Sequence, residues 1–236
     1  GNSLYLTTTG SNNTAVGFTA LYDNSTGANN TAIGVYASKL MVSANSTVAI
    51  GYNALSAAAT QANTVSIGVN SLAALTSGAG NIAIGYSAML VHTTGARNIV
   101  IGESAMDDTD AGSTSLGSED NTFIGHNVGG GTWANAASNG NVGIGNYTMD
   151  SALNGALGNV SLGHYSLSSL TTGDYNIAIG SNAGLSITTG ANNIILGRLA
   201  GDTMTATSNT VIIGFEAGQA INATGANGTV AIGYQA

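Results

Sequence analysis

From Asn13 onward the chain keeps returning to one five-residue pattern: a polar residue, a β-branched one, a third that is mostly small, an aliphatic one and Gly. The closing Gly falls at 17, 34, 51, 68, 85, 102, 125, 145, 163, 180, 197, 214 and 233. Eight of the twelve intervals are 17 residues, and the others are 23, 20, 18 and 19. Directly before this Gly stand Val16, Ile33, Ile50, Ile67, Ile84, Ile101 and their equivalents, always Val, Ile or Leu. Three residues before it every residue is β-branched, as in Thr31, Val48, Ile82, Ile99 and Val211. β-branched residues favour strands, and positions two apart share a face. The pattern predicts one short strand per unit, its Val/Ile face turned to the core, so that Ile84 and Ile101 are expected inside.

Two small columns accompany that face. One lies between the two aliphatic positions (Ala15, Ala32, Ala49, Ser66, Ala83), and the other lies three residues after the Gly (Ala20, Ala37, Ala54, Ser71, Ala88). They suit either packing beside a threefold axis or packing between the walls of one coil. A second Gly lies seven residues ahead of the first at 10, 27, 78, 95, 173 and 190, in turns such as Thr93-Thr94-Gly95-Ala96-Arg97-Asn98. Such corners are expected to need φ > 0. Asn precedes the strand in most units (Asn30, Asn81, Asn98, Asn121, Asn141), which predicts an Asn ladder from coil to coil.

A 17-residue unit with one strand cannot bury its own apolar face, but stacking such units makes a continuous core. The prediction is an all-β fold, a parallel β-solenoid of about thirteen 17-residue coils. At about 4.8 Å per coil it forms a rod on the order of 60 Å long. Residues 1–236 read as a single array with loop insertions near 103–120 and 127–140. Because it starts at Gly1 and stops just after a strand-like segment, a fragment of a longer fibre is expected.

Composition narrows the function classes. Three cations, Lys39, Arg97 and Arg198, against eleven acids give a net charge of −8, which cannot neutralise a phosphate backbone, so nucleic acid is not an expected partner. There is no apolar run long enough to span a bilayer, and no Cys for disulfides, thiolate metal sites or a thiol nucleophile.

The segments Asn30-Thr31-Ala32-Ile33-Gly34, Thr47-Val48-Ala49-Ile50-Gly51 and Thr229-Val230-Ala231-Ile232-Gly233 resemble the head repeats of trimeric autotransporter adhesins, the YadA-like β-roll. The stretches Asn13-Thr14-Ala15-Val16-Gly17-Phe18-Thr19-Ala20-Leu21 and Val48-Ala49-Ile50-Gly51-Tyr52-Asn53-Ala54-Leu55 resemble repeats of bacteriophage tail-fibre proteins. The resemblance covers essentially the whole chain and implies left-handed coiling and a homotrimer, although the adhesin repeat is shorter.

Chemistry-bearing residues are sparse. Of the three histidines, His126 and His164 each follow the repeat Gly, where other units carry Phe18, Tyr52, Tyr86 and Phe215, so they read as variants of a repeat position. There is no nucleophile elbow, no zinc-protease pair and no paired carboxylate of glycosidase type, so an enzyme is not expected. Acids cluster in the longest interval. Asp107, Asp108, Asp110, Glu119 and Asp120 are candidate calcium ligands, with a solvated acidic loop as the alternative. The insertion after His126 holds the chain's one Trp. Trp133, with Asn135 and Asn139, is a candidate receptor-binding group, the alternative being that Trp133 folds back over its own loop.

The function these features suggest is a structural and receptor-binding segment of a trimeric phage tail fibre attaching to a bacterial host surface. It would be extracellular, on the virion, with itself, a host glycan or protein and other fibre proteins as partners, and it would not insert into a membrane. A bacterial adhesin head is the nearest alternative. A carbohydrate-active enzyme and an ice-binding solenoid are alternatives of other classes.

Overall fold

The structure is a computed structural model that describes residues 2–57, 60–109, 117–133, 136–221 and 226–236. Each repeat segment forms a strand of three residues. The first seven are β1 (Thr14–Val16), β2 (Thr31–Ile33), β3 (Val48–Ile50), β4 (Val65–Ile67), β5 (Ile82–Ile84), β6 (Ile99–Ile101) and β7 (Thr122–Ile124). The remainder are β8 (Val142–Ile144), β9 (Val160–Leu162), β10 (Ile177–Ile179), β11 (Ile194–Leu196), β12 (Val211–Ile213) and β13 (Val230–Ile232). All thirteen lie in one parallel sheet in chain order, so every connection makes one coil of a β-solenoid, as expected. Ile99 pairs with Thr122, Thr122 with Val142 and Val142 with Val160. The longer intervals therefore leave the strand register intact and place their extra residues elsewhere in the coil.

Hydrogen bonding between coils continues past the strands. Two and four residues after the repeat Gly, non-glycine residues adopt positive φ, for example Tyr36 (62°) and Ser38 (48°), or Thr19 (52°) and Leu21 (50°). The Tyr36 N–H donates back to Phe18 O (3.0 Å), and the Ser38 N–H donates forward to Ala54 O (2.9 Å). Left-handed backbone costs about 1–2 kcal/mol per non-glycine residue, and here both amides are satisfied only because a coil lies on either side. The repeat Gly itself has φ between 133° and 148°, and a Cβ on Gly34 would overlap the Gly51 carbonyl.

The second glycine column corrects an expectation. Gly78 has φ of 101°, but Gly10, Gly27, Gly95, Gly173 and Gly190 are not in the positive-φ region. What they require is room: a Cβ on Gly95 would collide with the Ser118 carbonyl and the His92 ring.

The larger correction concerns the core, because the strand faces are the reverse of those expected. Ala32, Ala49, Ser66, Ala83, Val100 and Phe123, in the middle of their strands, are fully buried, and Ile84 and Ile101 lie half-buried on the outer face. The second small column (Ala37, Ala54, Ser71, Ala88) is buried as well, so both small columns pack within the coil. Large side chains reach the interior from the opposite wall: Leu21, Leu55, Leu72, Met89 and Met106 four residues after the Gly, and Met41, Leu75, Leu170 and Met204 seven after it. A narrow coil filled from that wall leaves little volume at the strand. Where the strand residue is large, the facing residue shrinks. Phe123 sits against Gly129 and Gly143, Ile195 against Gly184 and Gly201, and Ile212 against Gly218.

The Asn ladder forms as expected. Asn81, Asn98, Asn121, Asn141, Asn159, Asn176 and Asn193 are fully buried. Each Oδ1 accepts the backbone N–H of the equivalent residue in the next coil, as Asn159 does from Asn176 at 2.9 Å. Each Nδ2 donates to a corner carbonyl of the next coil, as Asn159 does to Gly173 O at 2.9 Å. Thr47 and Thr210 take their place in the ladder by donating their hydroxyls to Asn30 and Asn193 Oδ1.

Candidate functional site

The strand inversion turns the Val/Ile columns outward. With two outer positions in each of thirteen coils, this face carries only Thr, Val, Ile and Leu and no charged residue. Val16, Ile33, Ile144, Ile179 and Ile232 are each more than a third exposed, as are Ile99, Ile177, Ile194 and Val230. A strip about 60 Å long and about 10 Å wide presents on the order of 600 Å². That is the upper end of what a soluble monomer exposes.

Just beyond the repeat Gly runs a second surface, a row of corner residues. It is aromatic or aliphatic in the first five coils (Phe18, Val35, Tyr52, Val69, Tyr86). It becomes polar in the next six (Glu103, His126, Asn146, His164, Ser181, Arg198), and ends with Phe215 and Tyr234. Two similar ring clusters form along it. Tyr36 lies edge-on between Phe18 (5.9 Å) and Tyr52 (5.8 Å), and Tyr147 lies between His126 (5.2 Å) and His164 (6.0 Å). Tyr147 also stacks on Tyr165 at 5.0 Å, with 10° between the planes, and Tyr165 meets His164 at 4.2 Å. This cluster was missed from the sequence because Tyr147 and Tyr165 stand one residue beyond the row being compared.

Trp133 does not present a surface. It is fully buried, its Nε1 donates to Gly129 O (3.0 Å), and its ring packs edge-on against Phe123 (6.0 Å). The fold-back alternative is the arrangement found, which removes Trp133 as a receptor-stacking group. Asn139 is occupied too, since its Oδ1 accepts the Glu119 N–H (2.9 Å). Asn135 lies outside the described residues.

The acidic candidates separate into two places. Glu119 and Asp120 are held by Arg97 of the preceding coil, with Nη2–Oε2 2.7 Å and Nε–Oδ1 2.6 Å. The Arg97 hydrogen bond holds the Asp120 carboxyl below the usual carboxylate range, and the carboxylates in turn raise the Arg97 guanidinium. Asp108 accepts the Thr132 hydroxyl, while burial raises the neighbouring Asp107 carboxyl. Asp110 lies outside the described residues. Among the described residues no three His, Asp or Glu side chains converge on a point where a cation could sit.

His92 occupies an interior slot that Met41, Leu75 and Leu170 fill in other coils. Its Nδ1 lies 3.0 Å from Thr109 Oγ1, and its Nε2 has no hydrogen-bond partner among the described residues. Burial pushes its pKa down to about 4, the Gly95 backbone opposing. Among the described residues there is no enclosed pocket, and no helix long and apolar enough to cross a membrane.

The fold and these surfaces define a parallel β-solenoid repeat protein whose exposed features run along its length. Compared with protein-family models, curated proteins and solved structures, the chain matches none.

Proposed function

We propose that the chain is a stiff structural and receptor-binding segment of a homotrimeric extracellular fibre, a phage tail fibre directed at a bacterial host surface. The observation that carries this reading is the uncharged aliphatic strip on the outer face of β1–β13. A partner whose own side chains repeat every 4.8 Å or so matches such a strip along its full length of about 60 Å. A second and third copy of the same chain meet that condition coil for coil. The strip falls short of the ~800 Å² per partner of a standard interface, so the apolar part of the corner row (Phe18, Tyr52, Tyr86) extends the contact in the first five coils.

Light scattering at micromolar concentration and binding of labelled protein to a panel of bacterial cells test the reading together. A trimer that binds a subset of strains is the expected result. A stable monomer overturns the assembly, and a trimer that binds no cell surface overturns attachment.

A further inference from the structure

We propose that His126, Asn146, Tyr147, His164 and Tyr165, in the coils of β7, β8 and β9, form a saccharide-binding platform. This names a ligand class for the attachment reading above and rests on it. Sugar rings are recognised by apolar C–H faces stacked on aromatic rings, together with donors and acceptors for their hydroxyls at the ring edges. The ring clusters around Tyr36 and Tyr147 share one edge-on geometry but differ in this chemistry. Around Tyr36 the flanking residues are Phe18 and Tyr52, and the intervening corner residue is Val35. Around Tyr147 the flanks are imidazoles and the intervening residue is Asn146. The first cluster has its own polar groups, the Tyr hydroxyls and the Lys39 ammonium 5.2 Å over the Tyr36 ring, but the second adds two imidazoles and a carboxamide, which bring both donors and acceptors beside the stacking faces.

Its carboxamide is also fixed in place. Asn146 Oδ1 accepts the backbone N–H of His126 at 3.0 Å, which orients the carboxamide and leaves its Nδ2 without a partner among the described residues. Asn146, His164 and Tyr165 are exposed, and Tyr165 is braced by Tyr147 and His164, so little ordering remains to be done on binding. The row stays polar from Glu103 to Arg198, which keeps this stretch out of a lateral apolar contact and open to solvent.

Tyr147 and Tyr165 have φ of 57° and 55°, at a coil position where Asn53, Asn70 and Asn182 adopt the same conformation. Tyr165→Asn and Tyr147→Asn therefore suit the backbone, and Tyr36→Asn is the matched control. The probes are a printed array of defined bacterial polysaccharides and oligosaccharides, plus the cell panel. The expected result is that the wild-type assembly binds at least one saccharide. Tyr165→Asn should lower that affinity tenfold or more at unchanged melting temperature, whereas Tyr36→Asn should leave the saccharide affinity unchanged. Absence of any saccharide binding, or equal binding by wild type and Tyr165→Asn, overturns the platform. Cell binding that survives in Tyr165→Asn overturns the platform and leaves the fibre reading standing. Saccharide binding by a protein that binds no cells supports the platform and overturns the attachment reading.

Discussion

Asn98 Oδ1 accepts both the backbone and the side-chain N–H of Asn121, each at 3.1 Å, although 23 residues separate the two. The same pair of bonds joins Asn176 to Asn159 across 17 residues, at 2.9 and 3.0 Å. The ladder thus keeps its geometry where the spacing of the chain does not. Asn98 Nδ2 completes the link by donating to Ser118 O (3.0 Å), on the far side of the acidic insertion. Asn98→Ala removes these partners inside a fully buried column, where each group left unsatisfied costs about 1–3 kcal/mol. Urea and thermal melts should show a loss of about 2–4 kcal/mol, against under about 1 kcal/mol for Thr188→Ala, whose hydroxyl bond to Thr205 O is exposed.

Neighbouring residues of β5 should respond oppositely to the same substitution. Ala83 is fully buried, so Ala83→Asp places an unpaired charge in the core and should abolish folding. Ile84 lies on the outer face, so Ile84→Asp should retain the wild-type circular dichroism while lowering the mass seen by light scattering to that of one chain. Loss of the fold in both variants would place Ile84 in the core after all.

The exchange of volume between Phe123 and Gly129 can be measured as a coupling. Phe123→Ala should cost about 3–5 kcal/mol by opening a cavity. Gly129→Leu alone should also destabilise, because a Cβ there already lies 3.3 Å from the Phe123 ring. Combined, the two changes recreate the Ala-and-Leu pairing of Ala49 and Leu55, and Leu55 tolerates φ of 50° where Gly129 has 60°. The double variant should recover about 1–2 kcal/mol relative to Phe123→Ala, and strict additivity would refute the compensation.

His92 makes stability depend on pH. Its folded-state pKa of about 4 lies below the ordinary 6.5, so the native state resists a proton that the unfolded chain accepts. Its contribution is intact above 6.5, declines as the pH falls and is lost once the pH passes through about 4, a total of roughly 3 kcal/mol. Raised carboxyls at Asp107, Asp150 and Asp202 act in the opposite sense, so the readout is the difference between wild type and His92→Leu. That difference should shift by roughly 3 kcal/mol in favour of the variant between pH 7 and 4. A difference that does not vary with pH would mean that His92 reaches solvent.

The sequence alone determined the repeat, the thirteen strands and their parallel stacking. Those follow from a period, and a chain that repeats every 17 residues buries its faces only by stacking. The Asn ladder was legible for the same reason, since identical polar residues brought into register must bond to one another. Which strand face is inside was not legible from the Val/Ile columns, because alternation distinguishes two faces without saying how much room lies behind either. That room was decided by the opposite wall, where Leu21, Leu55 and Met89 fill the coil and leave space only for Ala, Ser or Gly at most strands. One signal was present in the sequence: Phe123 occurs with Gly129, and Ile212 with Gly218. Trp133 and the acidic insertion were decided by tertiary contacts that no period encodes, the Phe123 ring and the Gly129 carbonyl for one and the guanidinium of Arg97, one coil earlier, for the other.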